Sequence, residues 1–167
     1  MFSDEELFEK VVRTDDQNAF EELVIRYRLP ATRYVAKLIH DNAYAEHLSQ
    51  NVFANIYFKR KRLYPIPHFK AYLFKALKNQ SIDWLRKTQR IQELDIETIT
   101  IPMEEVQATG YLKELKTHLP AKDYQLVMLR GYYGFSFKEI AQLMQLSPGN
   151  ARIRWSRLKW KLRGIKE

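Results

Sequence analysis

The chain has 167 residues, 46% of them hydrophobic, and a net charge of +8. That length suits one ordinary domain or two small helical ones, and the charge points to a polyanionic partner. Cysteine is absent, which excludes disulfides, thiolate catalysis and Cys-based zinc sites.

The start, Met1-Phe2-Ser3-Asp4-Glu5-Glu6, is acidic and polar, unlike a signal or transit peptide. No apolar run reaches membrane-spanning length, so a cytoplasmic protein with no membrane insertion of its own is expected. Ser3-Asp4-Glu5-Glu6 is a capping-box pattern that opens a first helix carrying Leu7, Phe8, Val11 and Val12. Asp15-Asp16-Gln17-Asn18 breaks it and starts a second, with Phe20, Leu23, Val24, Tyr27, Val35, Leu38 and Ile39 inward and Pro30 interrupting or kinking it. Asp41-Asn42 starts a third, with Leu48, Val52, Phe53, Ile56 and Tyr57 inward. Leu63-Tyr64-Pro65-Ile66-Pro67 is expected as a loop, because two prolines so close forbid helix. A fourth helix follows over 69–90, with Tyr72, Leu73, Ala76, Leu77, Ile82 and Leu85 as its core positions.

Residues 91–107 break the helical pattern: Ile96, Ile99 and Ile101 are β-branched, Pro102 intervenes, and Glu93, Asp95, Glu97, Glu104 and Glu105 make the stretch acidic. An isolated strand has nothing to pair with there, so the stretch is expected as an acidic linker. The fold class is therefore all-α: two small helical domains, 1–90 and 108–167, on a flexible linker. In the second, Pro120 opens a helix running to Arg130, and Gly131 and Gly134 mark the loop after it.

The charge is unevenly placed. Residues 1–58 carry six Lys/Arg against ten Asp/Glu, and 59–90 carry ten against Asp83 alone. Residues 91–146 carry five against eight, and 147–167 seven against one. Two confined basic blocks with an acidic stretch between them predict two separate contacts with phosphate backbone.

The second block follows a motif. Ser136-Phe137-Lys138-Glu139 is another capping box, leading into Ile140, Ala141, Leu143 and Met144. After Gln145-Leu146, Ser147 is an N-cap and Pro148 a first helical residue. Two helices joined by so tight a turn have the spacing of a helix-turn-helix. At about 100° per residue, Ala151, Trp155, Leu158, Leu162 and Ile165 share the inner side, while Arg152, Ile153, Ser156, Arg157 and Trp160 point away. A recognition helix needs this arrangement to enter a major groove. Arg152 or Arg157 suits a bidentate contact to guanine, Ile153 a thymine methyl, and Arg154, Lys159, Lys161 and Arg163 phosphates. Ser147 and Asn150 belong to the same surface. Gln145 stands at the turn position usually taken by Gly, at a cost of about 1 kcal/mol if it is left-handed.

With both halves in view, the chain resembles the extracytoplasmic-function group of bacterial sigma factors. The resemblance lies in Asn18 to Leu23 with Tyr27, Ala45 to Phe53, Phe69 to Leu73 and Asn79 to Arg86 for region 2, and in Leu119 to Leu162 for region 4. It implies a subunit that binds core RNA polymerase, recognises promoter DNA and promotes strand opening. Region 4 would read the minus-thirty-five element as duplex, and region 2 the minus-ten element as single strand. On that basis Tyr64, His68, Lys70, Lys75, Lys78, Asn79, Asp83, Arg86 and Lys87 are the expected single-strand contacts, with Tyr64 a stacking platform for a base flipped into the loop before the fourth helix. Tyr72 is expected in the core, and Trp84 is assigned to neither face. The third helix would present Glu46, Leu48, Gln50, Asn51 and Phe53 to polymerase, although the acidic residues common at two positions are His47 and Asn51 here. An anti-sigma factor is a further implied partner.

An enzyme is the first rival reading. His40, His47, His68 and His118 show no metal-ligand spacing, and no Gly-rich phosphate loop or serine nucleophile elbow appears. No catalysis, cofactor or metal is expected. The stronger rival is a helix-turn-helix regulator that binds duplex DNA without polymerase. Such proteins usually dimerise, and the first domain offers no obvious dimer stripe.

Overall fold

The computed structural model describes residues 1–99 and 110–166, with 110–112 and 165–166 described by their backbone alone. The chain divides into two compact units, Met1–Thr100 and Ile101–Glu167.

The first unit opens with α1, Asp4–Thr14. The Ser3 side chain accepts from the Glu6 amide, and three acidic residues fill the first turn, where they oppose the positive end of the helix dipole. Asp15 ends the helix in the left-handed conformation, and Asp16 caps α2, Gln17–Ile39, by accepting from the Ala19 amide. Pro30 does not interrupt α2. It stands on the solvent side, while Leu23 before it and Ala31, Tyr34, Val35 and Leu38 after it are buried. Burial of both halves outweighs the one backbone bond that proline forfeits. Asp41 caps α3, Asn42–Phe58, through the Tyr44 amide.

A single turn, α4 (Arg60–Leu63), takes in the first residue of the expected loop. The loop itself holds a cis peptide between Tyr64 and Pro65. Next, α5 runs from Phe69 to Lys87, three residues shorter than expected. Gln89 is left-handed and the Arg90 amide donates to the Leu85 carbonyl, closing the end.

The expected linker needs correction over residues 91–99. A 3-10 turn at Ile91–Glu93 and a short helix α6, Ile96–Ile99, bury Ile91, Leu94 and Ile99 in the first unit. Asp95 accepts from the amides of Glu97 and Thr98 and from the Thr98 hydroxyl. That cap and three buried aliphatic side chains prevail over the weak helix propensity of isoleucine. Residues 100–109, with Pro102, Glu104, Glu105 and the expected domain boundary at Ala108, lie outside the described residues.

In the second unit, α7 spans Gly110–His118 and α8 spans Ala121–Val127, with Pro120 as its N-cap. The expected helix to Arg130 continues beyond α8 as a π turn, Met128–Tyr132. Gly131 lies inside that turn, where a Cβ would sit 3.7 Å from the Trp155 ring. Two further helices, α9 (Phe137–Met144) and α10 (Pro148–Lys166), complete the unit over Leu115, Leu126, Leu129, Phe135, Ile140, Ala151 and Leu158. No helix among the described residues is long and apolar enough to cross a membrane.

Candidate nucleic-acid interface

The helix-turn-helix is built from local bonds. The Ser136 hydroxyl accepts from the Glu139 amide at 3.1 Å, and the Glu139 carboxylate accepts from the Ser136 amide at 3.0 Å. Gln145 is left-handed (φ 57°), and its amide and that of Leu146 donate to the Ala141 carbonyl, which satisfies an orphan acceptor at the end of α9. Ser147 then accepts from the Asn150 amide at 3.1 Å. Along α10, Ala151 and Leu158 are buried and Trp155 and Leu162 half-buried. Arg152, Ile153, Arg154, Ser156, Arg157, Lys159, Trp160 and Lys161 are exposed. The side chain of Ile165 lies outside the described residues. Ile153 is 50% exposed and Trp160 72%. Lys161 pairs with Asp123 at 3.4 Å, the Arg163 guanidinium lies 5.0 Å from the Trp160 ring centre, and that of Arg152 5.6 Å from the Phe137 ring centre.

In the first unit, α5 carries a different surface. Lys75, Asn79, Asp83 and Arg86 recur at three- and four-residue intervals, so they share one stripe; Lys75, Asn79 and Arg86 are exposed and Asp83 half-buried. Beside the stripe, a furrow between α3 and α5 holds two adjoining hollows. One, of about 280 Å³, is lined by Asn55, Lys59, Leu63, Tyr72, Lys75 and Asn79 among others. The second, of about 110 Å³, is lined by Tyr44, Asn51, Asn55, Gln80, Asp83 and Lys87 among others. Asn55 and Gln80 belong to both. The furrow therefore offers four side-chain amides (Asn51, Asn55, Asn79 and Gln80) between lysines at its two ends. Of these, Asn55 and Gln80 are not among the expected contacts; their signal is an outward helical position beside one that is, Asn51 one turn away and Asn79 next in sequence. Tyr72, expected in the core, is half-buried and lines the furrow.

Two expectations for this surface change. Lys78 is only 3% exposed. It continues the spacing Phe74, Lys78, Ser81, Leu85, which is the buried face of α5, so it is unavailable to phosphate. Tyr64 is half-buried, and its hydroxyl donates to Glu9 at 3.1 Å and accepts from Arg13 at 3.3 Å. A tyrosine so held is anchored to α1 before any base arrives. Trp84 is stacked on Tyr44, ring centres 4.5 Å apart, with the Arg90 guanidinium 5.1 Å from the indole. Asp83 forms an ion pair with Lys87 at 2.9 Å. His68 and Lys70 are exposed at the start of α5.

The residues expected to meet polymerase divide between opposite sides of α3. Glu46, Gln50 and Phe53 line a groove of about 620 Å³ against α2, with Phe20, Val24, Arg28 and Leu29 across from them. Phe53 is 5% exposed and forms floor rather than rim. Leu48 and Asn51 lie on the α5 side: Leu48 is buried, and the Asn51 amide is 3.3 Å from the His47 ring. At 100° per residue, positions 48 and 51 fall well away from 46, 50 and 53, so a contiguous sequence motif is not a contiguous surface here. The groove also contains Ser49, whose hydroxyl is buried with no hydrogen-bond partner among the described residues.

Two arrangements suited to nucleic acid thus stand on two separate units. The sequence matches sigma-70 region 2 over residues 23–91 and sigma-70 region 4 over 109–162. It is 30% identical over 160 residues to the RNA polymerase sigma factor CarQ of Myxococcus xanthus, covering 92% of each chain. The chain belongs to the sigma-70 family, in its extracytoplasmic-function group. As a sigma factor it is a transcription initiation factor that binds core RNA polymerase and promoter DNA. It is also similar to the sigma factor SigZ of Bacillus subtilis (strain 168), 24% identical over 153 residues and covering 88% of this chain and 86% of the relative. Among solved structures, that of CnrH in complex with the cytosolic domain of CnrY covers 97% of this chain and 96% of its own, at 20% identity and a TM-score of 0.46.

Proposed function

We propose that the three surfaces divide the work of a sigma factor. The α10 face, with Arg152, Ile153, Ser156 and Arg157 at its centre, reads the minus-thirty-five element as duplex. Asn150, Ser147, Arg154, Lys159 and Lys161 hold the flanking phosphates. The α3/α5 furrow receives the minus-ten element as a single strand. Lys70, Lys75, Arg86 and Lys87 follow its backbone, and Asn51, Asn55, Asn79 and Gln80 meet base edges. His68 and the exposed prolines of the loop over 64–68 meet one unpaired base. The α2/α3 groove, rimmed by Glu46 and Gln50, is the polymerase seat. No reaction of its own is assigned to the chain, and its place of work is the cytoplasm. An anti-sigma factor would find exposed apolar surface at Leu29, Phe58 and Trp160.

The observation that carries this reading is the furrow. An amide-lined channel with lysines at both ends is poorly shaped for duplex, yet it fits a strand whose bases are unstacked. The test is run-off transcription with core polymerase and a promoter selected by the chain itself. Initiation, together with footprints over both elements, supports the reading. A chain that binds duplex DNA but neither joins core polymerase nor starts a transcript is a regulator instead, and the proposal falls.

A further inference from the structure

Three residues of α1 recur at every fourth position and face the loop over 64–68. Glu5 accepts from the Phe69 amide at 3.2 Å. Glu9 accepts from the Tyr64 hydroxyl at 3.1 Å. Arg13 pairs with Glu9 at 2.8 Å and donates to the same hydroxyl at 3.3 Å. The opposite face of α1 is buried through Leu7, Phe8 and Val11, which fixes the stripe in space.

Both ends of the loop depend on this stripe. The N-cap of α5, His68, makes no side-chain capping bond, and a helix start ordinarily needs an oxygen acceptor for its free amides. Glu5 supplies one from another helix. Its negative charge also suits the positive end of the α5 dipole. At the other end, Tyr64 spends its hydroxyl as donor and acceptor on Glu9 and Arg13. Between the two anchors Ile66 is 8% exposed, and Phe69 is fully buried against Phe8, ring centres 5.7 Å apart. What remains free in the loop is Pro65, Pro67 and His68.

We propose that Glu5, Glu9 and Arg13 are positioning residues for base selection: they never touch DNA, yet they set the conformation in which the loop tip meets an unpaired base. The inference rests on the reading that this loop faces the minus-ten strand. An unanchored loop would sample several conformations: having to order it on binding lowers affinity for every base alike, whereas alternative conformations of the tip that accept the other bases lower discrimination between them. The stripe thus makes α1 part of promoter specificity.

The test uses holoenzyme assembled with the full chain, and fork-junction DNA whose single-stranded minus-ten bases are replaced one at a time. Glu9→Ala and Tyr64→Phe should each lower preference at one base by about fivefold, within the range spanned by losing one capping-type bond. Their combination should cost little more than either alone, because both remove the same link. Glu9→Gln, which keeps an acceptor, should restore most of the preference. Glu5→Ala should act at that base too, and affinity for core polymerase should not change. Unaltered preference in Glu5→Ala and Glu9→Ala overturns the proposal. So does an equal loss at every base that tracks a fall in melting temperature, since that marks a merely structural role. His68→Ala separates the two layers. If it changes preference at the base while the α1 variants do not, only the positioning role is lost. If it changes preference at no base, the reading of the loop falls and the positioning role with it.

Discussion

The two units hold their DNA-facing parts in opposite ways. In the second, the bonds that cap the two helices and form the turn between them span a few residues: Ser136 with Glu139, Ala141 with Gln145 and Leu146, Ser147 with Asn150. In the first, the loop before α5 is held by partners 51 to 64 residues away. A locally wired element keeps its shape when the rest of the domain is perturbed. A remotely wired one reports on the packing of the whole unit. Damage far from DNA should therefore alter recognition in the first unit and leave it intact in the second.

The largest effect is expected where the contrast is simplest. Of Arg152→Ala and Arg157→Ala, whichever removes a bidentate contact to guanine should cost about 1–3 kcal/mol of discrimination at one base pair of the minus-thirty-five element. Polymerase affinity should not change. Competition binding against single-base promoter variants measures it. Two variants with wild-type selectivity would refute the groove assignment and remove the second half of the comparison.

Next come the exposed lysines of α5. If Lys70 and Lys75 each neutralise one phosphate of a single strand, each alanine variant should make the slope of log affinity against log salt shallower by about 0.7. Strand opening should fall, with little change in polymerase binding. Lys78→Ala should behave otherwise, because its side chain is already out of solvent: it should lower the melting temperature and leave the salt slope unchanged. A shallower slope for Lys78→Ala would show that the buried position opens on binding.

This difference between two lysines on one helix also marks how far the sequence could be read. The recognition face on α10 was legible because capping residues and a 100° repeat are local signals. The burial of Lys78 is encoded equally openly, in its register with Phe74, Ser81 and Leu85, but its positive charge points instead to DNA. The division of α3 into a groove side and a furrow side required knowing that α2 and α5 flank it, which no local pattern specifies. The fold-back of Ile91, Leu94 and Ile99 is hidden for a related reason: acidic neighbours suggest a tether, whereas the turn at 91–93 packs back on α5 and the short helix α6 on the distant α2. The α1 stripe of Glu5, Glu9 and Arg13 has an evident spacing and no visible target until the loop is placed beside it.

A smaller effect tests remote wiring away from DNA. Asp4 accepts from the Tyr27 hydroxyl and pairs with Arg26 at 3.0 Å, and Arg26 also donates to the Phe2 carbonyl at 2.7 Å. Burial, and then the hydrogen bond to Asp4, push the Tyr27 hydroxyl above its ordinary value of 10.0. Asp4→Ala should cost about 1 kcal/mol, at the low end because the hydroxyl is only part-buried. The sign of the pH dependence follows from the upward shift: this contribution is complete below pH 10 and is lost as pH rises towards the folded-state value. Tyr27→Phe should remove that alkaline loss. Denaturation at a series of pH values measures both variants, and an Asp4→Ala protein as stable as the parent would show that the Asp4 links add nothing to the hold of α1.

The smallest effect is a gain. Gln145 ends α9 at φ 57°, a conformation that costs a residue with a Cβ about 1–2 kcal/mol and glycine almost nothing. Glycine in turn loses more backbone entropy on folding, about 0.5–1 kcal/mol, so Gln145→Gly should stabilise the second unit by roughly 0.5 kcal/mol. The bonds that define the turn involve only backbone atoms, the amides of Gln145 and Leu146 on the Ala141 carbonyl, and the Gln145 side chain is exposed. The turn should therefore keep its shape. Promoter preference at the minus-thirty-five element should be unchanged while the melting temperature rises. A rise in stability with altered base preference would show that the turn residue itself, and not only the backbone bonds around it, sets the angle at which α10 is presented.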